Sequence, residues 1–470
     1  MNKIKFLKKF RIYFIPVPLL INFILIEEFQ FLILKQFINN IFITTVLFFI
    51  LYLIGLEIKK IFKFNTISFS IAFVFLSIFL INNVFLFLNK NLDFYLFTYI
   101  YLSILTFLVF INNKSNYLKN INVILIFVLT QFSRILNETF YKISSNGTTE
   151  LFTSDEIYFW IPTTKNIFEN NYYFALMNNP IEGYGLLASY VNALLTLFVS
   201  SKNTFNYYSC ISNVFLLLFV LFIYESNFSK KIKILTIISF FSIFFTSTWI
   251  NYLFFNSLLA ERVVGYLFGA IFLEILYFEN LNNYQYFEWL ISCLFGTLIF
   301  GKNFLTIVSL FIIFLMFLDK KNIYIILFGG LPLFISVINS VFLKVDYLWI
   351  NYINLALKNQ NNPAFTPQES AVGKFLALIL EYIKDKPLSY ITFIIFTLSL
   401  PILSKLCKTK KVNLVYSALI FNFILISFIS IFSAASPSAN DMHRYIILPL
   451  YLYPILLMNV LEHYMYKSNA

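Results

Sequence analysis

The sequence predicts an all-α, polytopic integral membrane protein with about 14 transmembrane helices and interfacial helices in its first large outer loop. Three observations lead there. First, 60% of residues are hydrophobic, 12% are charged and the mean hydropathy is +0.80, a balance that would leave a soluble domain covered in apolar surface. Second, long apolar runs occur without alternation, such as the uncharged stretch Ile67 to Leu88. Lipid cannot satisfy backbone polar groups, which leaves only helices or closed barrels, and unbroken apolar runs select helices. Third, the net charge of +12 is carried by lysines and arginines clustered in short loops. That pattern follows the positive-inside rule and gives no reason to invoke nucleic acid.

The elements follow in order. "MNKIKFLKKFR" places the N-terminus in the cytoplasm, and no A-x-A-like cleavage site follows it, so the first helix, about 11–26, is read as retained. Glu27 and Glu28 then lie outside. A second helix, about 37–56, returns to the basic "EIKKIFK". Helices at about 67–88 and 93–111 end at "NNKSNYLKN", and a fifth, about 121–140, exits again. The loop "YKISSNGTTELFTSDE" is therefore extracytoplasmic.

The next apolar run, Gly183 to Ser200, is expected to lie in the interface. Were it to span, the basic "SKKIKI" at 229–234 would fall outside, against the charge rule. The aromatic stretch before it, broken by Pro180, Gly183 and Gly185, suits an interfacial helix. Further spans are expected at about 207–224, 234–252, 263–279, 288–301, 303–318, 323–343, 388–404, 414–432 and 446–461. A long outer segment, 344–390, should carry a short amphipathic helix around 371–384. The chain thus divides into N-terminal transmembrane helices (1–140), an extracytoplasmic loop with the acidic motif (141–206) and a helical bundle (207–470). Cys210, Cys293 and Cys407 lie in or beside helices with no CxxC spacing, which argues against a disulfide framework. No internal repeat is visible, unlike transporters built from two related halves.

With this topology the unusual polar residues gather at the outer face. Asp155 and Glu156 stand side by side in "TSDEIYFWIPTTK", with Lys165 closing that motif. Glu261 and Arg262 occur in "LLAERVVGY", Lys302 in "FGKNF", and Asp441, His443 and Arg444 in "SPSANDMHRYIILP". Each has a bland reading: solvated loop acids, a local ion pair, a snorkelling lysine, an interfacial anchor. Ionisable groups at membrane depth are costly, however, and their convergence on one face points to function. Acids and cations beside long apolar helices suit transfer from a lipid-linked phosphate donor. A carboxylate takes the proton of the acceptor hydroxyl, and fixed cations stabilise the departing phosphate.

Four stretches, in order between about 150 and 460, resemble the GT-C superfamily of polytopic glycosyltransferases, which includes protein mannosyltransferases and aminoarabinose transferases. "SDEIYFWIPTTKNIF" is similar to the acidic start of their first large outer loop. "NNPIEGYGLLASYVNALLTLF" is similar to their Pro-containing lead into a second juxtamembrane helix. "SLLAERVVGYLFGAIFLEILYF" is similar to their second outer turn, and "DMHRYIILPLYLYPILL" to an Arg-Tyr-x-x-x-Pro helix entry. The resemblance implies a membrane glycosyltransferase of the cell envelope, in a bacterial plasma membrane, with an extracytoplasmic active site. Its donor would be a polyprenyl-phosphate sugar and its acceptor a glycan, lipid or protein. Asp155 would be the acceptor-activating acid with Glu156 as its neighbour. Arg444 would face the donor phosphate together with Lys302 and the adjacent His443. Glu261, beside Arg262, would take the second acidic position. Some members use a divalent metal ion and others none, and this chain offers no DxD. It also departs in having several helices before the acidic loop and no WWD-like run.

Two other functions fit many helices and a large outer loop. An O-antigen polymerase or ligase would rely on the 344–390 loop rather than on Asp155. A lipid-linked oligosaccharide flippase or other transporter would need charges at mid-membrane, for which Arg134 and Glu274 are the candidates.

Overall fold

The computed structural model describes residues 34–89, 91–112, 121–141, 160–178, 186–199, 208–245, 260–277, 285–301, 303–344 and 453–467. Within them the protein is helical and has no strand; the one β-bridge joins Asp93 to Asn171. The helices are α1 (Leu34–Phe62), α2 (Ile67–Leu88), α3 (Phe94–Asn112), α4 (Ile121–Tyr141), α5 (Ile161–Glu169), α6 (Tyr172–Met177) and α7 (Leu187–Val199). They continue as α8 (Tyr208–Glu225), α9 (Lys230–Phe245), α10 (Ala260–Tyr277), α11 (Gln285–Thr297), α12 (Asn303–Lys320), α13 (Ile323–Leu343) and α14 (Tyr453–Lys467), with a 3-10 turn, Leu298–Phe300, after α11. The segments expected at 11–26, 388–404 and 414–432, and the amphipathic helix at 371–384, lie outside the described residues.

Among the described residues, four stretches are long and apolar enough to cross a bilayer: Ile41–Phe62, Ile67–Leu88, Phe94–Asn112 and Ile323–Leu343. The 22 residues of α2 rise about 33 Å, matching a hydrocarbon layer of about 30 Å. This helix is the hub. It packs against α1, α3, α7, α8, α10, α11 and α13, and most of its side chains are buried. By contrast α3 presents Leu96, Ile100, Ile104, Phe107 and Ile111 outward, a helical stripe suited to lipid. Leu327, Leu331, Phe334 and Val341 do the same on α13.

Apart from α7, the long helices alternate in direction, and their contacts sort the connections into two ends. Lys59 and Lys60 close α1, Lys230 and Lys231 open α9, and Lys320 ends α12 with Lys321 in the turn to α13. These sites share one end. Glu225, the last residue of α8, reaches the first turn of α2. Asn122 on α4 donates to Glu57 on α1. Phe287 on α11 lies 6.3 Å from the Phe64 ring, and Lys320 lies 3.7 Å from Glu288. The other end gathers the C-terminus of α2, the start of α3, and α5 and α6, where Phe168 packs on Phe94 and Tyr95. That division is the alternation the charge bias predicts for these segments.

One expectation fails. Of the run 183–200, the described residues Leu187 to Val199 do not lie along a lipid interface: every one of them is buried. At 13 residues, about 20 Å, α7 is also too short to cross on its own. It sits inside the bundle against α1, α2, α4, α5, α8 and α10. Its C-terminal carbonyls therefore need donors within the protein. Helix α4 supplies them: Ser133 donates to Phe198, and Arg134 donates through Nε to the Leu197 oxygen at 3.2 Å.

Candidate functional site

The sequence-derived candidates fall unevenly. Asp155, Glu156, Lys302, His443 and Arg444 lie outside the described residues. Glu261 is the second residue of α10; its side chain is likewise outside the description. Lys165 sits on α5, half exposed, 3.8 Å from Glu169 one turn later. Such an exposed i,i+4 pair contributes little to stability, and Lys165 is not brought to Arg262 by any described contact.

Arg262 is different. It is the third residue of α10, about 18 Å along that helix from Glu274 at the lysine end and so near the middle of the bundle, and it is 1% exposed. Its guanidinium carbon lies 5.7 Å from the centre of the Phe215 ring on α8, within reach of a cation–π attraction. One turn on, Tyr266 meets the same ring edge-on at 5.9 Å and donates its hydroxyl to the Ser68 carbonyl at 3.0 Å. The stack Arg262–Phe215–Tyr266 thus holds a cation deep between α8 and α10. Val264 lies against Gly301, the described residue immediately before Lys302: a Cβ on Gly301 would come 2.7 Å from the Val264 side chain. The acidic pair belongs to the segment joining α4 to α5, and α5 packs on the start of α3 at the end opposite the lysines.

The buried helix α7 adds polar groups that the sequence reading passed over. Ser189 and Asn192 are 0% and 1% exposed, and among the described residues neither the Ser189 hydroxyl nor either end of the Asn192 carboxamide has a hydrogen-bond partner. Buried polar atoms are nearly always paired, so such groups call for an explanation. The signal was present in "LASYVNALLTLF": Ser189, Asn192 and Thr196 recur three and four apart in an apolar run, which places them on one helical face. Thr196 is already occupied, donating to the Asn192 backbone carbonyl at 2.8 Å.

The two candidate mid-membrane charges are engaged in holding the fold. Arg134 caps α7 and also reaches the Tyr99 hydroxyl at 3.3 Å. Glu274 accepts the Thr66 amide at 2.9 Å and the Thr66 hydroxyl at 2.8 Å. Among the described residues no three His, Cys, Asp or Glu side chains gather into a group that could hold a metal ion. Comparisons with protein-family models, curated proteins and solved structures found no match for this chain.

Proposed function

We propose that this chain is a membrane glycosyltransferase with about 14 spans that moves a sugar from a polyprenyl-phosphate donor to a cell-envelope glycan, lipid or protein. Its active site would face the outside of a bacterial plasma membrane, at the end opposite the lysines. The observation that carries the reading is Arg262, a guanidinium fixed within an apolar bundle. Ionisable groups retained at such depth are functional by default, and a guanidinium can bind phosphate with two parallel hydrogen bonds. Arg134 and Glu274, the candidate charges of the transporter reading, are both engaged in helix capping.

In this mechanism the acceptor hydroxyl attacks the anomeric carbon of the donor sugar. A new carbon–oxygen bond forms to the acceptor as the bond to the phosphate oxygen breaks. Asp155 takes the hydroxyl proton, and the polyprenyl phosphate leaves with the bonding electrons. Arg444, Lys302, His443 and Arg262 supply positive charge where negative charge develops. The test is transfer of labelled sugar from a polyprenyl-phosphate donor by protein in reconstituted membranes. Asp155→Asn keeps the shape but removes the basic lone pair, and it should slow turnover by roughly 10²–10⁴-fold. Adjacent residues point in different directions, so Glu156→Gln should cost far less. Full activity in Asp155→Asn, or a larger loss in Glu156→Gln, sinks the assignment.

A further inference from the structure

The polar face of α7 is a feature that neither packing nor capping explains. Its opposite flank packs on aromatic and apolar neighbours, although the Tyr190 hydroxyl there is also buried and unpaired. Tyr190 meets Phe79 and Phe94 edge-on at 5.3 and 5.4 Å, and Leu194 and Phe198 line a small apolar cavity with residues of α1, α2 and α3. At 100° per residue, Ser189, Asn192 and Thr196 lie on the flank turned away from those helices. Among the other helices packed on α7 is α10, which carries Arg262. A carboxamide with both ends unpaired carries a standing desolvation cost, and an apolar side chain of the same size would avoid it. A carboxamide both donates and accepts, as a sugar hydroxyl does.

We infer that Asn192 and Ser189 form a subsite for the hydroxyl groups of the donor's sugar. The inference rests on the glycosyltransferase reading, but its test separates the two. Asn192 offers its carbonyl oxygen to one hydroxyl and its amide to another. Ser189, one turn before it on the same face, adds a group that can do either. The apolar helices around α7 exclude water, so each of these bonds counts for more than it would on the surface. A site built to bind hydroxyls rejects ligands that lack them, because its own polar groups are then left unmet.

The experiment measures binding and thermal stability of the full-length protein in detergent with two probes, a polyprenyl-phosphate hexose and the bare polyprenyl phosphate. The wild type should bind the sugar-bearing lipid more tightly. Asn192→Leu should weaken that binding roughly 10- to 100-fold, the loss expected from one or two buried hydrogen bonds, and leave binding of the bare lipid unchanged. Without ligand the same variant should melt at or above the wild-type temperature, because an unpaired amide has gone. Ser189→Ala should weaken sugar-lipid binding several-fold, and it carries the test if Asn192→Leu does not fold. Thr98→Val is the control: it removes another buried, unpaired hydroxyl, at the apolar cavity, and should change neither affinity. Wild-type affinity for the sugar-bearing lipid in both α7 variants overturns the subsite and leaves the functional reading standing, as does equal wild-type affinity for the two lipids. Failure of the wild type to bind either lipid overturns both.

Discussion

Glu274 and Thr66 are joined twice: the carboxylate of α10 accepts both the backbone amide and the hydroxyl of the residue that caps α2. The other oxygen of Glu274 takes the Asn65 amide, and Glu225 takes the Ser68 amide and hydroxyl, both at 2.7 Å. Two helices therefore each lend a carboxylate to the start of a third. The first amides of a helix have no partner within it, and its N-terminus carries partial positive charge. The hub helix begins inside protein, where water is a poor substitute. The carboxylates neutralise that end and tie α8 and α10 to it.

Glu274→Ala should accordingly destabilise the bundle by about 3 kcal/mol, since it leaves several donors buried without an acceptor. Glu274→Gln keeps one acceptor and should cost about half as much. The measurement is the fraction of monodisperse protein surviving a temperature ramp in detergent. If Glu274→Ala survives heating as well as wild type, the clamp is not what holds α2.

Arg134→Met should loosen α7 without unfolding the bundle. The Leu197 carbonyl would lose a charged donor, so amides in 187–199 should exchange with deuterium about tenfold faster or more. Arg134→Lys should restore part of the protection, because an ammonium can donate but lacks the planar fork. Unchanged exchange in Arg134→Met would mean that packing alone fixes the helix.

Most of the helices were legible in the sequence. Ile67–Leu88 and Ile323–Leu343 form as expected, because uncharged runs bounded by Thr66 and Asn322 combine hydropathy with side-chain caps. Basic turns marked the shared end. Two features were not legible. The burial of α7 depends on the surrounding helices, which its own residues do not reveal, and an apolar, aromatic segment reads alike at an interface and inside a bundle. The roles of Arg134 and Glu274 were hidden for the same reason: their partners lie 63 and 208 residues away. Of the candidate site, Arg262 was found by its charge, whereas Ser189 and Asn192 were obscured because small polar residues are common in membrane helices.

The alternation of ends makes a topological prediction. In a cysteine-free background, Lys63→Cys and Lys231→Cys should be modified by a membrane-impermeant thiol reagent only from the cytoplasmic side, and Asn91→Cys only from outside. All three positions are exposed. Sites within 141–182 and 344–387 should label with Asn91. Labelling of Lys231→Cys from outside would overturn the placement of the acidic pair at the outer face.

The last prediction concerns a close helix approach. Gly296 on α11 backs onto Gly329 on α13. A Cβ at 296 would collide with the Gly329 carbonyl oxygen and come 3.1 Å from Cδ of Pro332. Backbone and a proline ring line that contact, so no flexible side chain can swing aside. A Cβ at 329 would meet the Ile313 side chain at 2.8 Å, so α12 closes the other side. Two turns before Gly296, toward the lysine end, Trp289 stacks on Phe328 at 5.3 Å with planes only 6° apart, which fixes the register of the pair. Small residues let membrane helices approach until dispersion holds them, since lipid supplies no hydrophobic drive between them. Gly296→Ala should therefore cost about 1–3 kcal/mol by forcing the helices apart, and Gly296→Val more. Gly330→Ala is the internal control: a Cβ there meets nothing within 4 Å, and replacing a mid-helix glycine should be neutral or stabilise by up to about 1 kcal/mol. Thermal ramps of the three variants should rank Gly330→Ala at or above wild type, then Gly296→Ala, then Gly296→Val. A Gly296→Ala protein as stable as the control would show that α11 and α13 do not touch as described.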